Sequence, residues 1–172
     1  MAPAPGVQVS LRILVRGFDE AHARLQDALA MISSTPEDVF LPLFEALHWA
    51  VAVWYLAKRK HETIKAPGDD LLALRYARNR AGHQWANALE VREVLLPRRP
   101  MGGGRRGPYS GSFSRTTPVS VRAWLWLPEA QLPPADPKFS DSKGKTAYMD
   151  RLEEQPAHEV LQRFSDGLIE LR

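Results

Sequence analysis

The strongest constraint on this chain is the spacing of its apolar residues. Leu11, Leu14, Val15, Phe18, Leu25, Leu29 and Ile32 recur at the three- and four-residue intervals that make one face of an α-helix. The pattern predicts a first helix over about 9–32. "SSTPEDVF" then supplies a start signal. Thr35 is a capping residue, Pro36 fits the first helical position, and Asp38 stands three after the cap. A second helix is predicted over about 36–60, bent at Pro42, with Leu43, Phe44, Leu47, Val51, Trp54 and Tyr55 on its buried face. Its basic end, Lys58, Arg59 and Lys60, suits a helix C-terminus. "KAPGDD" reads as a loop closed by Asp69 as cap. A third helix follows over about 70–94, and Pro97 stops it.

Beyond Pro97 the composition changes. Residues 97–118 are rich in Gly, Pro and Ser and carry Arg98, Arg99, Arg105, Arg106 and Arg115 with no acid, which predicts a long mobile loop. "VSVRAWLWL" alternates enough for a short strand or hairpin arm. A proline-rich stretch leads to about 138. The tail predicts helices over about 144–155 and 157–171, broken at Pro156, with Val160, Leu161, Phe164 and Leu168 as the last apolar stripe. There is no internal repeat. Long helices on short connections predict an all-α fold, an antiparallel bundle of four to five helices. The 172 residues are read as one domain over 1–172, with a Gly/Pro/Arg-rich insert at about 97–143 that holds the strand or hairpin.

Composition removes several chemistries. With no cysteine there is no disulfide, thiolate metal site or cysteine nucleophile. His22, His61 and His158 are isolated, without metal-ligand spacing, so neither metal nor cofactor is expected. Gly102 to Gly104 lack the Lys-Ser/Thr that follows in a phosphate-binding P-loop, and no Ser-His-Asp arrangement is apparent. The N-terminus does not read as a signal peptide. The most apolar run, "LFEALHWAVAVWYLA", carries Glu45 and His48 and reads as too short for a bilayer. A cytoplasmic protein without a membrane role is expected. The net charge of +3 says little by itself about nucleic acid.

The stretch that carries chemistry is "RYARNRAGHQW", residues 75–85. On a helical wheel with Arg78 at the origin, Leu71, Leu74, Ala77, Ala81, Trp85, Ala88 and Leu89 fall between about −100° and +20°, the expected core face. Gly82, Arg75, Asn79 and His83 follow in order at about 40°, 60°, 100° and 140°. The polar group is contiguous and starts at the core edge. An arginine there costs free energy unless paired, and a glycine beside it lets another chain or ligand approach. Arginine offers a fork of donors to phosphate, histidine titrates near neutrality, and asparagine positions a neighbouring group. The alternative is a solvated face or an internal salt bridge.

"RNRAGH" matches the R-N-x-x-x-H signature of the HEPN superfamily, with Arg78, Asn79 and His83 on its three positions. The chain resembles that family over its first three helices and loosely at its tail. The resemblance implies a metal-independent endoribonuclease that cleaves RNA by attack of the 2′-hydroxyl to leave a 2′,3′-cyclic phosphate. His83 would be acid or base, Arg78 the phosphate holder and Asn79 an orienting group. It further implies a homodimer with paired motifs, and a toxin or antiviral defence effector that an antitoxin protein restrains. In one toxin branch a tyrosine two residues after the histidine is the target of modification by the antitoxin. Trp85 stands there in this chain, which puts that control in doubt. The alternative is a non-catalytic HEPN-like dimer that binds RNA, nucleotide or a partner protein. Further off is a helical interaction protein with no nucleic-acid role.

Around this motif, Arg75, Glu45 and His48 are auxiliary candidates, the last two read either as a surface pair or as facing the same cleft. Arg98, Arg99, Arg105 and Arg106 are weak RNA-binding candidates by charge; a solvated loop fits them equally. Trp124 and Trp126 either stack on bases or pack on the core.

Overall fold

Local capping chemistry sets the two longest helices. The Ser10 side chain accepts from the Ile13 amide at 3.3 Å, and α1 runs Leu11–Ala30. Thr35 and Asp38 form a reciprocal capping box, the Asp38 carboxylate accepting from the Thr35 amide at 2.9 Å, and α2 runs Pro36–Lys60. That box satisfies two amides that the first turn cannot pair internally. Helix α2 continues through Pro42. It closes on His61, which takes the left-handed conformation at φ 57°. The computed structural model describes residues 10–83, 91–97, 120–132 and 140–172.

α1 and α2 pack closely because Gly17 lies under the Trp49 ring. A Cβ there would stand 2.8 Å from that ring, so a side chain at this position would push the helices apart. Phe18, Leu25, Val39, Leu47 and Val53 fill the core from these two helices. Ile32, expected on the apolar face of α1, lies past its end and is 90% exposed. Tyr55, expected inside, is exposed, and Phe44 and Trp54 are half-buried. By length and composition α2 would reach across a bilayer, contrary to the expectation from its apolar run; in the fold its inner face belongs to the core.

Helix α3 runs Gly68–His83. It begins before the expected cap: Asp69 and Asp70 lie inside its first turn, where carboxylates face the positive end of the helix. The prediction that it extends to about 94 is wrong. Val91–Pro97 is a strand, β1, paired antiparallel with β2, Ser120–Trp126. The register sets Val91 opposite Trp126 and Pro97 opposite Ser120. The expected insert therefore starts earlier than 97, and the strand foreseen at 119–127 finds its partner in the segment read as helix. β-Branched Val91 and Val94 suit an extended chain.

A 3-10 turn, Glu129–Gln131, follows β2, then α4, Ser142–Arg151, and α5, Ala157–Gly167. Both tail helices are shorter than their apolar pattern suggests. The second edge of β2 bonds the α4–α5 connection. The Trp126 amide donates to the Gln155 carbonyl at 3.0 Å and the Glu154 amide to the Trp126 carbonyl at 3.1 Å. Trp124 and Trp126 are buried, and the Trp126 ring meets Tyr148 of α4 edge-on at 6.3 Å. They pack on the core and do not face bases. The whole is an all-α antiparallel bundle, five α-helices among the described residues, with a hairpin laid against its tail.

The core also holds a histidine. His22 of α1 is buried, lies nearly parallel to Phe18 at 5.3 Å, and has no partner for Nε2 among the described residues. Burial holds its imidazole below the ordinary value of 6.5, against the pull of Asp19. In the unfolded chain the ring takes a proton that the fold refuses. Stability is therefore complete above about pH 6.5 and declines as the pH falls below it. Urea midpoints measured between about pH 7.5 and 5 are expected to drop on the acid side. His22→Phe is expected to flatten that limb; an unchanged slope would show that the ring is not the source.

Candidate functional site

Helix α3 is buried on two sides. Leu71, Leu74, Ala77 and Ala81 face the core, as the wheel predicts. Ala73, Tyr76 and Arg80 are also buried, at about 160° to 220° on the same wheel. They face α4 and the chain that leaves the hairpin. Between the two buried faces runs a half-exposed strip of Leu72, Arg75, Arg78 and Asn79. Three of the candidates are therefore brought together on one edge of a clamped helix. His83 is its last residue; its side chain and that of Gly82 lie outside the described residues, as do Trp85, Ala88 and Leu89.

Arg75 and Arg78 are one turn apart, yet their surroundings differ. Arg75 donates to the Asp141 carboxylate at 2.6 Å, and its guanidinium lies 5.7 Å from the centre of the Trp54 ring. Asp141 is the N-cap of α4 and accepts from the Gly144 amide at 2.9 Å. Arg75 thus ties α2, α3 and α4 together. Arg78 makes no ion pair among the described residues, and its Nε is sealed from water without a hydrogen-bond partner. Such a donor costs on the order of 1–3 kcal/mol. A phosphate cannot reach an atom that water cannot, so a phosphate contact falls to the Nη atoms of this half-exposed residue.

A second polar cluster on the other side of α3 was missed by sequence reasoning. Tyr76 donates its hydroxyl to Glu129 at 3.0 Å, and Lys145 pairs with the same carboxylate at 2.8 Å. Partial burial pushes the Glu129 carboxyl upward; the bonds from Lys145 and Tyr76, with the charges of Lys145 and Arg80, outweigh that and hold it below 4.5. Arg80 is 6% exposed, 5.9 Å from the Tyr76 ring, with Nε and Nη1 unpaired among the described residues. The cluster's other members come from α4 and the 3-10 turn, more than forty residues away along the chain, so no local spacing announces them.

Glu45 and His48 do not join the strip. Glu45 pairs with Arg24 of α1, and helix geometry turns it about 180° away from Trp54, the residue of α2 that meets Arg75. His48 is half-buried, with Nδ1 2.9 Å from the Phe44 carbonyl and its ring 4.1 Å from that of Phe44. Arg98, Arg99, Arg105 and Arg106 lie outside the described residues. Among the described residues no group of three or more His, Asp or Glu is placed to hold a metal ion. Comparison with family models, curated proteins and solved structures finds no match for the chain.

The contrast between the two arginines is measurable. Arg75→Met removes a charged hydrogen bond and the support of a helix cap, and is expected to lower stability by about 1–3 kcal/mol. Arg78→Met removes an unsatisfied donor from an apolar edge and is expected to leave stability unchanged or to raise it. Urea unfolding of both variants decides this. Equal losses would mean that Arg78 is a structural residue like its neighbour.

Proposed function

We propose that the chain is a metal-independent endoribonuclease of the HEPN type, which cleaves RNA by attack of the 2′-hydroxyl and leaves a 2′,3′-cyclic phosphate. The observation that carries this reading is Arg78, half-buried and without an ion pair among the described residues, beside Asn79 and five residues before His83 on one helix. RNA carries its own nucleophile. An enzyme need only accept the 2′ proton, stabilise the charge on the pentavalent phosphorus and protonate the leaving 5′ oxygen. His83 moves the protons. Arg78 holds the phosphate oxygens, and Asn79 orients the phosphate or the ring. Arg75, fixed by Asp141 and Trp54, adds charge one turn away.

Arg78 and His83 are splayed by about 140°. A twofold dimer that sets the exposed strips of two α3 helices across one groove would supply the complementary pair, and the proposal includes such a homodimer. A cytoplasmic toxin or defence effector, restrained by a second protein, is the role this chemistry suits. The second reading is a non-catalytic dimer that holds RNA on the same strip.

Cleavage of a labelled RNA in EDTA tests the reading. His83→Ala is expected to lower the rate by about 10²–10⁴-fold, with circular dichroism and size-exclusion profile unchanged, and Arg78→Ala is expected to lose activity as well. Wild-type activity retained by folded His83→Ala would sink the catalytic role. Binding without cleavage by wild type would leave the second reading. Solution scattering is expected to give a dimer at micromolar concentration; a monomer would remove the paired groove.

A further inference from the structure

The Trp54 ring sits between two cations and another ring. The Arg75 guanidinium is 5.7 Å from its centre and the Lys58 ammonium 5.9 Å. Tyr55 stacks beside it, 5.1 Å away with planes 29° apart. Past Tyr55, between the last turns of α2 and the first of α1, lies a groove of about 680 Å³. Leu14, Leu56, Tyr55, Arg59 and Lys60 are among the residues that line it. Arg78 stands one turn along α3 from Arg75. A continuous run of cations and rings thus crosses the outer face of α2, from the motif helix on one side to α1 on the other.

Two features of this run are not explained by folding. Lys58, Arg59 and Lys60 make no ion pair among the described residues, whereas Arg24, Lys65, Arg151, Arg163 and Arg172 all do. Complementing the helix dipole accounts for cations at this end of α2, but not for an aromatic ring 45% exposed among them. Neither does it account for a groove of mixed lining beside that ring. Unpaired cations along the path of a chain, with an exposed ring among them, suit a single-stranded polyanion whose units carry flat bases.

We propose that this track binds single-stranded RNA next to the motif: a base stacks on Tyr55 at the edge of the groove, and Arg59 and Lys60 hold the phosphates that follow. The substrate class rests on the ribonuclease reading; the site is separate from the motif. A duplex keeps its bases stacked on one another and offers Tyr55 nothing, so the track selects single strands.

The test is binding of a labelled 2′-O-methyl single-stranded RNA of about 12 nucleotides, a length within reach of such sites and without a free nucleophile. Tyr55→Ala is expected to weaken binding roughly 5- to 100-fold, while Tyr55→Trp retains it. Arg59→Gln with Lys60→Gln is expected to flatten the dependence of log affinity on log salt by about 0.7 for each phosphate that the chain no longer neutralises. Circular dichroism confirms that each variant is folded. A matching duplex is expected to be indifferent to Tyr55→Ala. Wild-type RNA binding that Tyr55→Ala and the Arg59→Gln, Lys60→Gln pair leave intact would overturn the track and leave the catalytic proposal standing. No RNA binding by wild type would overturn both. Tyr55-dependent binding by a wild type that cuts no RNA would uphold the track and remove the catalysis.

Discussion

A carboxylate almost without solvent holds the molecule together. Asp70, in the first turn of α3, has a side chain 1% exposed. Arg163 of α5 donates to it at 2.8 Å, and Arg151 of α4 stands 3.9 Å from its other oxygen. A charge so placed is tolerable only while its partners stay in position. It therefore fixes the start of α3 against both tail helices. Arg75 fixes the middle of the helix through Asp141, and Tyr76 fixes it through Glu129. Three polar ties within the first turns clamp α3 between the α1–α2 pair and the tail. What they leave uncovered is one narrow strip.

That clamp changes what an arginine on α3 means. Arg75, Arg78 and Arg80 lie within six residues and share a side-chain chemistry. The first is a brace. The third is buried against a tyrosine ring with the Glu129 charge nearby, which makes it part of the polar seam under α4. Only Arg78 is at the open strip without an ion pair among the described residues and with a sealed donor that nothing there satisfies. Sites held on clamped helices keep their geometry better than sites on loops, because neighbouring turns lock the side chains.

The parts of the fold that depend on neighbours in sequence were legible. The Thr35–Asp38 box, the apolar period of α1 short of Ile32, and Leu71, Leu74, Ala77 and Ala81 of the inner stripe of α3 all act within a turn or two, and each stands where the residues place it. Errors arise where distant chain decides. The third helix is predicted to reach about 94, but β2 captures Val91–Pro97 as a strand. Tyr76 and Arg80 lie opposite the core face on the helical wheel, yet α4 and the Glu129 turn cover them. Glu45 and His48, adjacent on a helical wheel, part company because Arg24 of α1 takes the first and the backbone of α2 takes the second. The strip with Arg75, Arg78 and Asn79 was legible because it is contiguous on one helix. The rings and cations of α2 that extend it were not, since Trp54 and Tyr55 fit an apolar stripe equally well.

The arrangement of α2 against α3 explains why those aromatic residues are only half inside. α1 needs the Gly17–Trp49 contact to approach α2, and that close approach turns the inner face of α2 toward the core, with Val39, Leu43, Leu47 and Val53. Trp54 is left at the seam with α3, too far round to enter the core, and Tyr55 is turned further out. A tryptophan at such a seam would usually be covered by another apolar side chain. Here it is covered by the guanidinium of Arg75 and flanked by Lys58, so the ring keeps two positive charges at the surface beside the motif. An anionic strand drawn to those charges would meet the half-exposed Arg78, one turn along α3 from Arg75, where the fork of a guanidinium suits a phosphate.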